Sequence, residues 1–213
     1  MPKLGMEVIR RRQVIDAVVS ILANQGWRDL TIRELSDVAG VSAGVITHYF
    51  ANKRAIIIDA ISDTSSKFAR TINKIERRNS TSKQRLQALV ELMTRPEAFE
   101  LPGASFWIAL YGRLPFDQII QAELQRLQRW LTESVESIVS QGLHAGDFST
   151  DIPAGRIAAS FVTMALGGFM VASAAPSDAD TAQRRDMLLD LLEAQLRTSF
   201  SRAPLADIRG AAS

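Results

Sequence analysis

Between its prolines this chain repeats apolar residues at helical spacing, and nowhere at the strict alternation of a half-buried strand. Proline is scarce and, beyond Pro2, falls at Pro96, Pro102, Pro115, Pro153, Pro176 and Pro204, positions where a helix has to stop or begin. The stretches between predict nine helices over 7–25, 32–39, 43–49, 53–78, 82–94, 103–113, 116–141, 153–174 and 180–200. The first shows the logic. Val14, Ile15, Val18, Val19 and Leu22 form one apolar stripe, Arg10, Arg11, Arg12, Asp16 and Asn24 face elsewhere, and Gly26 ends the helix. The expected fold class is all-α. It comprises a small three-helix module over residues 1–52, a larger helical body over 53–200, and a frayed tail over 201–213.

The 213 residues carry a net charge of only +2, unevenly spread. Residues 1–55 hold eight Lys and Arg against five acids, while the remainder is close to neutral. A basic module on a neutral body points to a polyanion partner at one end. There is no cysteine, which excludes disulfides, zinc–thiolate sites and thiol catalysis and fits a reducing cytoplasm. The opening residues lack the apolar core of a signal peptide and run into Arg10-Arg11-Arg12, so a cytoplasmic protein is expected.

Residues Thr31 to Phe50 read as a short helix, a tight turn and a second short helix. Ile32, Leu35, Val38 and Ala39 form the apolar face of the first. Gly40 sits where the chain must take a positive φ, and Val41 fills the space between the helices. Ser42 is placed to cap the second helix, with its oxygen accepting from amides two or three residues on. Val45, Ile46 and Tyr49 or Phe50 then pack inward, leaving Ala43, Gly44, Thr47 and His48 outward. That outward face is short, weakly charged and built partly from small residues. A helix that enters the major groove needs this, because bulk would hold it away from the base edges. Ala43 or Thr47 can touch a thymine methyl, the Thr47 hydroxyl can bond a base or a phosphate, and Lys53 begins the next helix where its ammonium can meet phosphate. The apolar spacing alone would also suit a helical hairpin in an ordinary bundle. The set Ala39-Gly40-Val41-Ser42, the aromatic end Tyr49-Phe50 and the following lysine favour the DNA-binding reading.

Thr31, the run Ala39-Gly40-Val41-Ser42-Ala43-Gly44, then Tyr49-Phe50 and Lys53 resemble the N-terminal signature of the TetR family, over about a quarter of the chain. The resemblance implies a homodimer that binds a near-palindromic double-stranded operator and releases it when a small molecule binds. It further implies that Thr31 anchors a phosphate, that Ser42, Ala43, Gly44, Thr47, His48 and Tyr49 line the recognition helix, and that Lys53 contacts the backbone. Two positions depart from the pattern. Ser36 replaces a usual alanine, and Thr47 stands where many members have a tyrosine, so that tyrosine's phosphate contact does not carry over. The opening MPKLGMEVIRRRQVIDA and the later VSAGVITHYF are similar to a subgroup, the choline-sensing repressors of glycine betaine synthesis, the BetI type. The Trp107 and Tyr111 pair, four apart, also resembles that subgroup, whereas the C-terminal half diverges.

The sensor candidates are aromatic. Phe106, Trp107 and Tyr111 fall on one short helix, and Trp130 lies on the long helix beyond. Each alone can be a core residue; together they can form a box for a quaternary ammonium. Asp117 can supply a carboxylate to that box, or simply favour the N-terminal end of its helix. A lipophilic drug or acyl ligand is the second reading.

The uncharged run Ile157–Ala175 approaches the length of a membrane span, so a helical scaffold or membrane-associated protein is the third. It lacks an aromatic belt and flanking bases, and a buried helix in a subunit interface fits better, with Ala158, Ala165 and Ala172 allowing close approach. The dimer is expected to form through Phe161, Ala165, Phe169 and Met170 on one helix and Leu188, Leu191, Leu192 and Leu196 on the next. Neither His48 nor His144 has a nucleophile or a metal ligand at useful spacing, and no phosphate-binding glycine loop follows a strand. No catalytic residue, metal or cofactor is expected. Asp147 and Asp151 read as turn and capping residues rather than a catalytic pair.

Overall fold

The computed structural model describes residues 6–27, 30–172 and 178–202. The described residues form α1 (Met6–Asn24), α2 (Ile32–Ala39), α3 (Ala43–Tyr49), α4 (Lys53–Arg78), α5 (Ser82–Thr94), a 3-10 turn (Pro96–Phe99), α6 (Ala104–Tyr111), α7 (Gln118–Ala145), α8 (Ala154–Ala172) and α9 (Asp178–Leu196), with no strand among them. The expected all-α class and helix order hold. Differences are confined to ends and to the 3-10 turn, which Pro96 opens and Glu100, at φ +58°, closes. The expected frayed tail from 203 onward lies outside the described residues.

The chain divides into two compact units. The first is Met1–Ser66 with Pro102–Leu124, the second Lys67–Leu101 with Gln125–Ser213. In the first unit α1 packs on α2, α3 and α6. Val14, Val18, Ile21 and Leu22 of α1 are buried, as are Leu35, Ile46, Phe50, Phe106 and Leu110. Fully burying each such aliphatic or aromatic side chain contributes roughly 1.5–3 kcal/mol. The three-helix module therefore shares its core with α6.

In the second unit α5 packs on α8 and α9. It starts with a reciprocal capping box: Thr81 accepts from the Gln84 amide while the Gln84 side chain accepts from the Thr81 amide. Every residue from Leu86 to Thr94 is buried, so α5 is enclosed on all sides. The Ser82 amide donates to Asp147 (3.1 Å), and Asp151 pairs with Arg197 (2.5 Å), both aspartates lying in the turn between α7 and α8. Gly142 is required by close approach: a Cβ there would lie 2.2 Å from the Phe148 ring.

The apolar run on α8 is buried inside this unit. Ile157, Ala158, Phe161, Val162 and Ala165 are covered, as are Leu188, Leu192 and Leu196 of α9. Most of the face expected to meet a second copy thus already serves the chain's own core. Met170, Val171 and Met187 stay exposed, while the side chains of Phe169 and Ala172 lie outside the described residues. No helix among the described residues is long and apolar enough to cross a membrane.

Candidate nucleic-acid interface and sensor residues

The turn between α2 and α3 is built by backbone chemistry legible in its residues. Gly40 takes φ +63°, and its amide bonds to the Asp37 carbonyl while the Val41 amide bonds to that of Ser36 (3.1 Å). This paired pattern satisfies the orphan carbonyls at a helix end and turns the chain sharply. Thr31 caps α2 by accepting from the Glu34 amide (3.1 Å), and Ser42 caps α3 by accepting from the Val45 amide (3.3 Å). In both caps the oxygen is the acceptor, so each hydroxyl keeps a proton that can go to a phosphate oxygen.

Ser42, Ala43, Gly44, Thr47 and His48 are all exposed, whereas Ile46 and Phe50 are buried and Tyr49 is half-buried with its ring edge-on to His48 (4.8 Å). The Thr47 hydroxyl donates to the carbonyls of Ala43 and Gly44 (both 3.2 Å). With its proton turned into the helix, Thr47 presents a methyl and an acceptor lone pair, which suits a thymine methyl or a base amino group. The Lys53 ammonium donates to the Leu30 carbonyl (2.9 Å), fixing the start of α4 against the segment before α2, and two further protons remain.

Arg11 is the functional residue that spacing did not reveal. Its guanidinium donates to the Tyr49 carbonyl (2.9 Å), pairs with Asp59 and sits 4.7 Å over the Phe50 ring. One side chain of α1 thereby fixes the end of the recognition helix to α4. Arg12 pairs with Asp16 (2.9 Å) and Asp63 (3.1 Å), so the basic run near the N-terminus is largely an internal ion-pair device. The triple arginine was its signal, but Asp59 and Asp63 lie 48 and 51 residues away from their arginines and no local pattern names them.

The sensor candidates fall in both units. Phe106 and Trp107 are buried on α6, with ring centroids 5.2 Å apart and edge-on, and the Trp107 indole donates to the Pro102 carbonyl (3.2 Å). Tyr111 is half-buried, and burial pushes its hydroxyl above the usual range. Trp130 is half-buried on the part of α7 that belongs to the second unit. Asp117 takes the simpler of its two expected roles. It accepts from the amides of Ile119 (3.1 Å) and Ile120 (3.3 Å) at the start of α7 and pairs with Arg54 (3.2 Å). Desolvation pushes its carboxyl up, but the two amides and the Arg54 guanidinium outweigh it and hold the group below its ordinary value. Its charge is therefore already answered.

His144 is exposed at the end of α7 with a ring nitrogen 2.7 Å from the Ser140 carbonyl. No cluster of three or more potential metal ligands occurs among the described residues. In the first unit α6 packs on α1, and just beyond the end of α1 the Trp27 indole donates to the Ala109 carbonyl while Arg113 lies 5.2 Å over the Trp27 ring.

Two short helices at a glycine turn, capped by hydroxyls and presenting a small-residue outer face, define a helix-turn-helix regulator. Residues 14–60 match the model of the bacterial regulatory proteins of the tetR family, so the chain carries a TetR-family N-terminal domain. It is 40% identical over 131 residues to the transcriptional regulator BetI of Escherichia coli (strain K12 / DH10B), a match spanning 61% of this chain and 65% of that protein. It is 28% identical over 212 residues to BetI 1 of Chromohalobacter salexigens, spanning 96% of this chain and 98% of that one. Among solved structures it resembles a TetR regulator from Haloarcula marismortui (TM-score 0.79, 17% identity, 88% and 98% covered). It also resembles a regulator from Saccharomonospora viridis in complex with choline (0.75, 18%, 87% and 96%). A third is FadR of Bacillus subtilis in complex with stearoyl-CoA (0.71, 18%, 85% and 96%). At these identities the structures speak to fold alone.

Proposed function

We propose that the protein is a cytoplasmic repressor that binds a near-palindromic operator as a homodimer and releases it when choline or a related quaternary ammonium binds. The observation that carries the ligand class is the similarity to a BetI regulator over nearly the whole of both chains, sensing body included. The choline complex of the Saccharomonospora viridis regulator, which has the same fold, supports this reading. The lipophilic reading draws on the stearoyl-CoA complex of a regulator with the same fold at 18% identity, and the BetI relative covered nearly end to end favours the cation.

In this reading residues 1–52 form the DNA-binding module and 53–200 the sensing and dimerising body. Ala43, Gly44, Thr47 and His48 approach base edges, while Thr31, Ser42, Tyr49 and Lys53 hold the backbone. Hydroxyl protons and an ammonium carry no base information, so the second set supplies affinity and register, and the first supplies sequence preference. Phe106, Trp107, Tyr111 and Trp130 are the aromatic candidates for the ligand. The dimer uses the faces of α8 and α9 that a single chain leaves open, around Met170, Val171 and Met187. Signal transfer runs inside the first unit, where α1 packs on α6 and the Trp27–Ala109 bond ties the turn after α1 to α6, so a displacement of α6 reaches the recognition helix through α1. Recognition helices on a two-fold dimer must sit about 34–36 Å apart to meet one face of DNA, and a small change in that spacing weakens both half-sites together.

Selection of bound duplexes from a random pool tests the reading. A near-palindrome with half-site centres about one helical turn apart is expected. Sequences without two-fold symmetry would reject the dimeric mode.

A further inference from the structure

The helix α3 runs for seven residues, Ala43–Tyr49. A helix this short holds no fixed pose by itself and takes its position from what grips it. Ser42 caps its N-terminal end (3.3 Å to the Val45 amide), and Ile46 is buried under its middle. Its C-terminal end is held from outside the helix-turn-helix. Arg11 of α1 donates to the Tyr49 carbonyl (2.9 Å), lies 4.7 Å over the ring of Phe50 and pairs with Asp59 of α4. A carbonyl in the last turn has no partner within its own helix, and a cation there also meets the negative end of the helix dipole. Thus α1, α3 and α4 meet at one guanidinium, which offers a planar fork of donors and a face for the ring at once. Arg12 provides the contrast. It too reaches α4, through Asp63 (3.1 Å), and it pairs with Asp16 (2.9 Å), but among the described residues no bond joins it to α3.

We propose that Arg11 is a positioning residue for base recognition: without touching DNA it fixes the C-terminal end of α3, and so decides how well Thr47 and His48 meet their base pairs. The inference rests on the reading of α3 as the recognition helix and names the residue that sets its pose. The charge of Arg11 is answered by Asp59, so it neutralises no phosphate and acts on discrimination rather than on the salt-dependent part of binding. A lysine there keeps the charge, but one ammonium on a flexible stem cannot hold the carbonyl, the carboxylate and the ring face together. Thr47 and His48 fall in the last turn, beside this tie, whereas Ala43 and Gly44 follow the Ser42 cap. Loosening Arg11 therefore spreads the directions of the first pair and leaves the second pair in place.

The test measures binding of the selected operator and of its single-base variants across a salt series, for wild type, Thr47→Ala, Arg11→Lys and Arg12→Lys. Arg11→Lys is expected to bind the operator about tenfold more weakly, with the salt slope of wild type. Its preference should fall about fivefold or more at the base pair where Thr47→Ala alters preference, and stay within about twofold elsewhere. Arg12→Lys should keep wild-type preference at every base pair. Should Arg11→Lys lose its helical circular dichroism signal, Asp59→Asn takes its place: it keeps the arginine, removes its anchor on α4, and should show the same pattern. A uniform loss with a salt slope shallower by about one unit would make Arg11 a phosphate contact and overturn the proposal. Wild-type preference in the folded variant, or an equal loss of preference in Arg12→Lys, would overturn it too. A wild-type protein that selects no duplex removes the recognition-helix reading and the proposal together.

Discussion

Arg54 Nη2 lies 3.2 Å from Asp117 Oδ2, so the residue after Lys53 is tied to the cap of α7 while the other Asp117 oxygen holds the amides of Ile119 and Ile120. The two functions of this carboxylate can be separated. Asn caps a helix about as well as Asp but carries no charge, so Asp117→Asn should cost only about 0.5–1 kcal/mol, the Arg54 side chain being half-exposed, and Asp117→Ala about 1–2 kcal/mol. The folded carboxyl titrates below its ordinary value of 3.8, so its contribution is complete above that pH and is lost as pH falls through the folded value. Urea unfolding at neutral and acid pH checks this; equal costs for both variants would contradict the separation.

Trp27 and Ala109 join the turn that follows α1 to α6. Trp27→Phe removes the donor and retains most of the apolar contact, at about 1 kcal/mol of stability. Operator affinity without ligand should stay near wild type, while the ligand concentration for half-release should shift by about threefold or more. An unchanged release curve would exclude the joint from signalling.

Thr47 and Lys53 should divide specificity from affinity. Thr47→Ala is expected to alter preference at one position per half-site by about 1–3 kcal/mol. Lys53→Ala should weaken specific and non-specific binding alike and shallow the salt slope by about one unit. It also frees the Leu30 carbonyl, so its folded stability is measured alongside. Binding to the selected operator and to single-base variants across a salt series separates the two; equal loss of base preference in both variants would contradict the division.

The helix order, the glycine turn and both hydroxyl caps were legible in the sequence because each is a local matter: apolar spacing, one positive φ, one oxygen three residues before an amide. What covers an apolar face is not local. The stripe on α8 is as apolar as expected, yet Phe161 and Ala165 are covered by their own unit and not left for a second copy. The pairing of Arg11 with Asp59, of Lys53 with Leu30 and of Arg54 with Asp117 spans 23 to 63 residues, and charge counting sees only surplus base where the fold makes specific struts. Glu91, buried on α5, escaped notice for the same reason: in sequence it is an ordinary helix acid between Val90 and Leu92.

Glu91 carries a stability prediction opposite to that of a structural carboxylate. Its folded form is pushed above the ordinary value of 4.5, mainly by desolvation, with Arg185 and Arg95 opposing and Asp186 adding to the rise. The folded state therefore holds this proton more tightly than the unfolded chain, and stability falls as pH rises from the unfolded value through the folded one. Glu91→Gln should be more stable than wild type at neutral pH, by about 1 kcal/mol, with the gain vanishing below pH 4.5. A neutral-pH loss in urea midpoint would indicate that Glu91 stabilises the fold.

The dimer face is tested where a single chain leaves it open. Val171 and Met187 are 71% and 47% exposed, so Val171→Asp with Met187→Asp should keep the helical circular dichroism signal while shifting sedimentation to monomer. Operator affinity should fall by about two orders of magnitude or more as one half-site is lost. Retention of the dimer would place the interface elsewhere. Ala165→Arg, by contrast, should unfold the second unit, because Ala165 is only 4% exposed.

The most direct measurement of the central claim is fluorescence anisotropy of the selected operator duplex, bound by wild-type protein at fixed salt and titrated with choline. The account predicts saturable release at choline concentrations from micromolar to about millimolar, with no effect of its neutral carbon isostere, 3,3-dimethylbutan-1-ol, at the same concentration. A complex that stays intact through about 10 mM choline, or that the isostere releases equally well, would contradict a repressor switched by a quaternary ammonium.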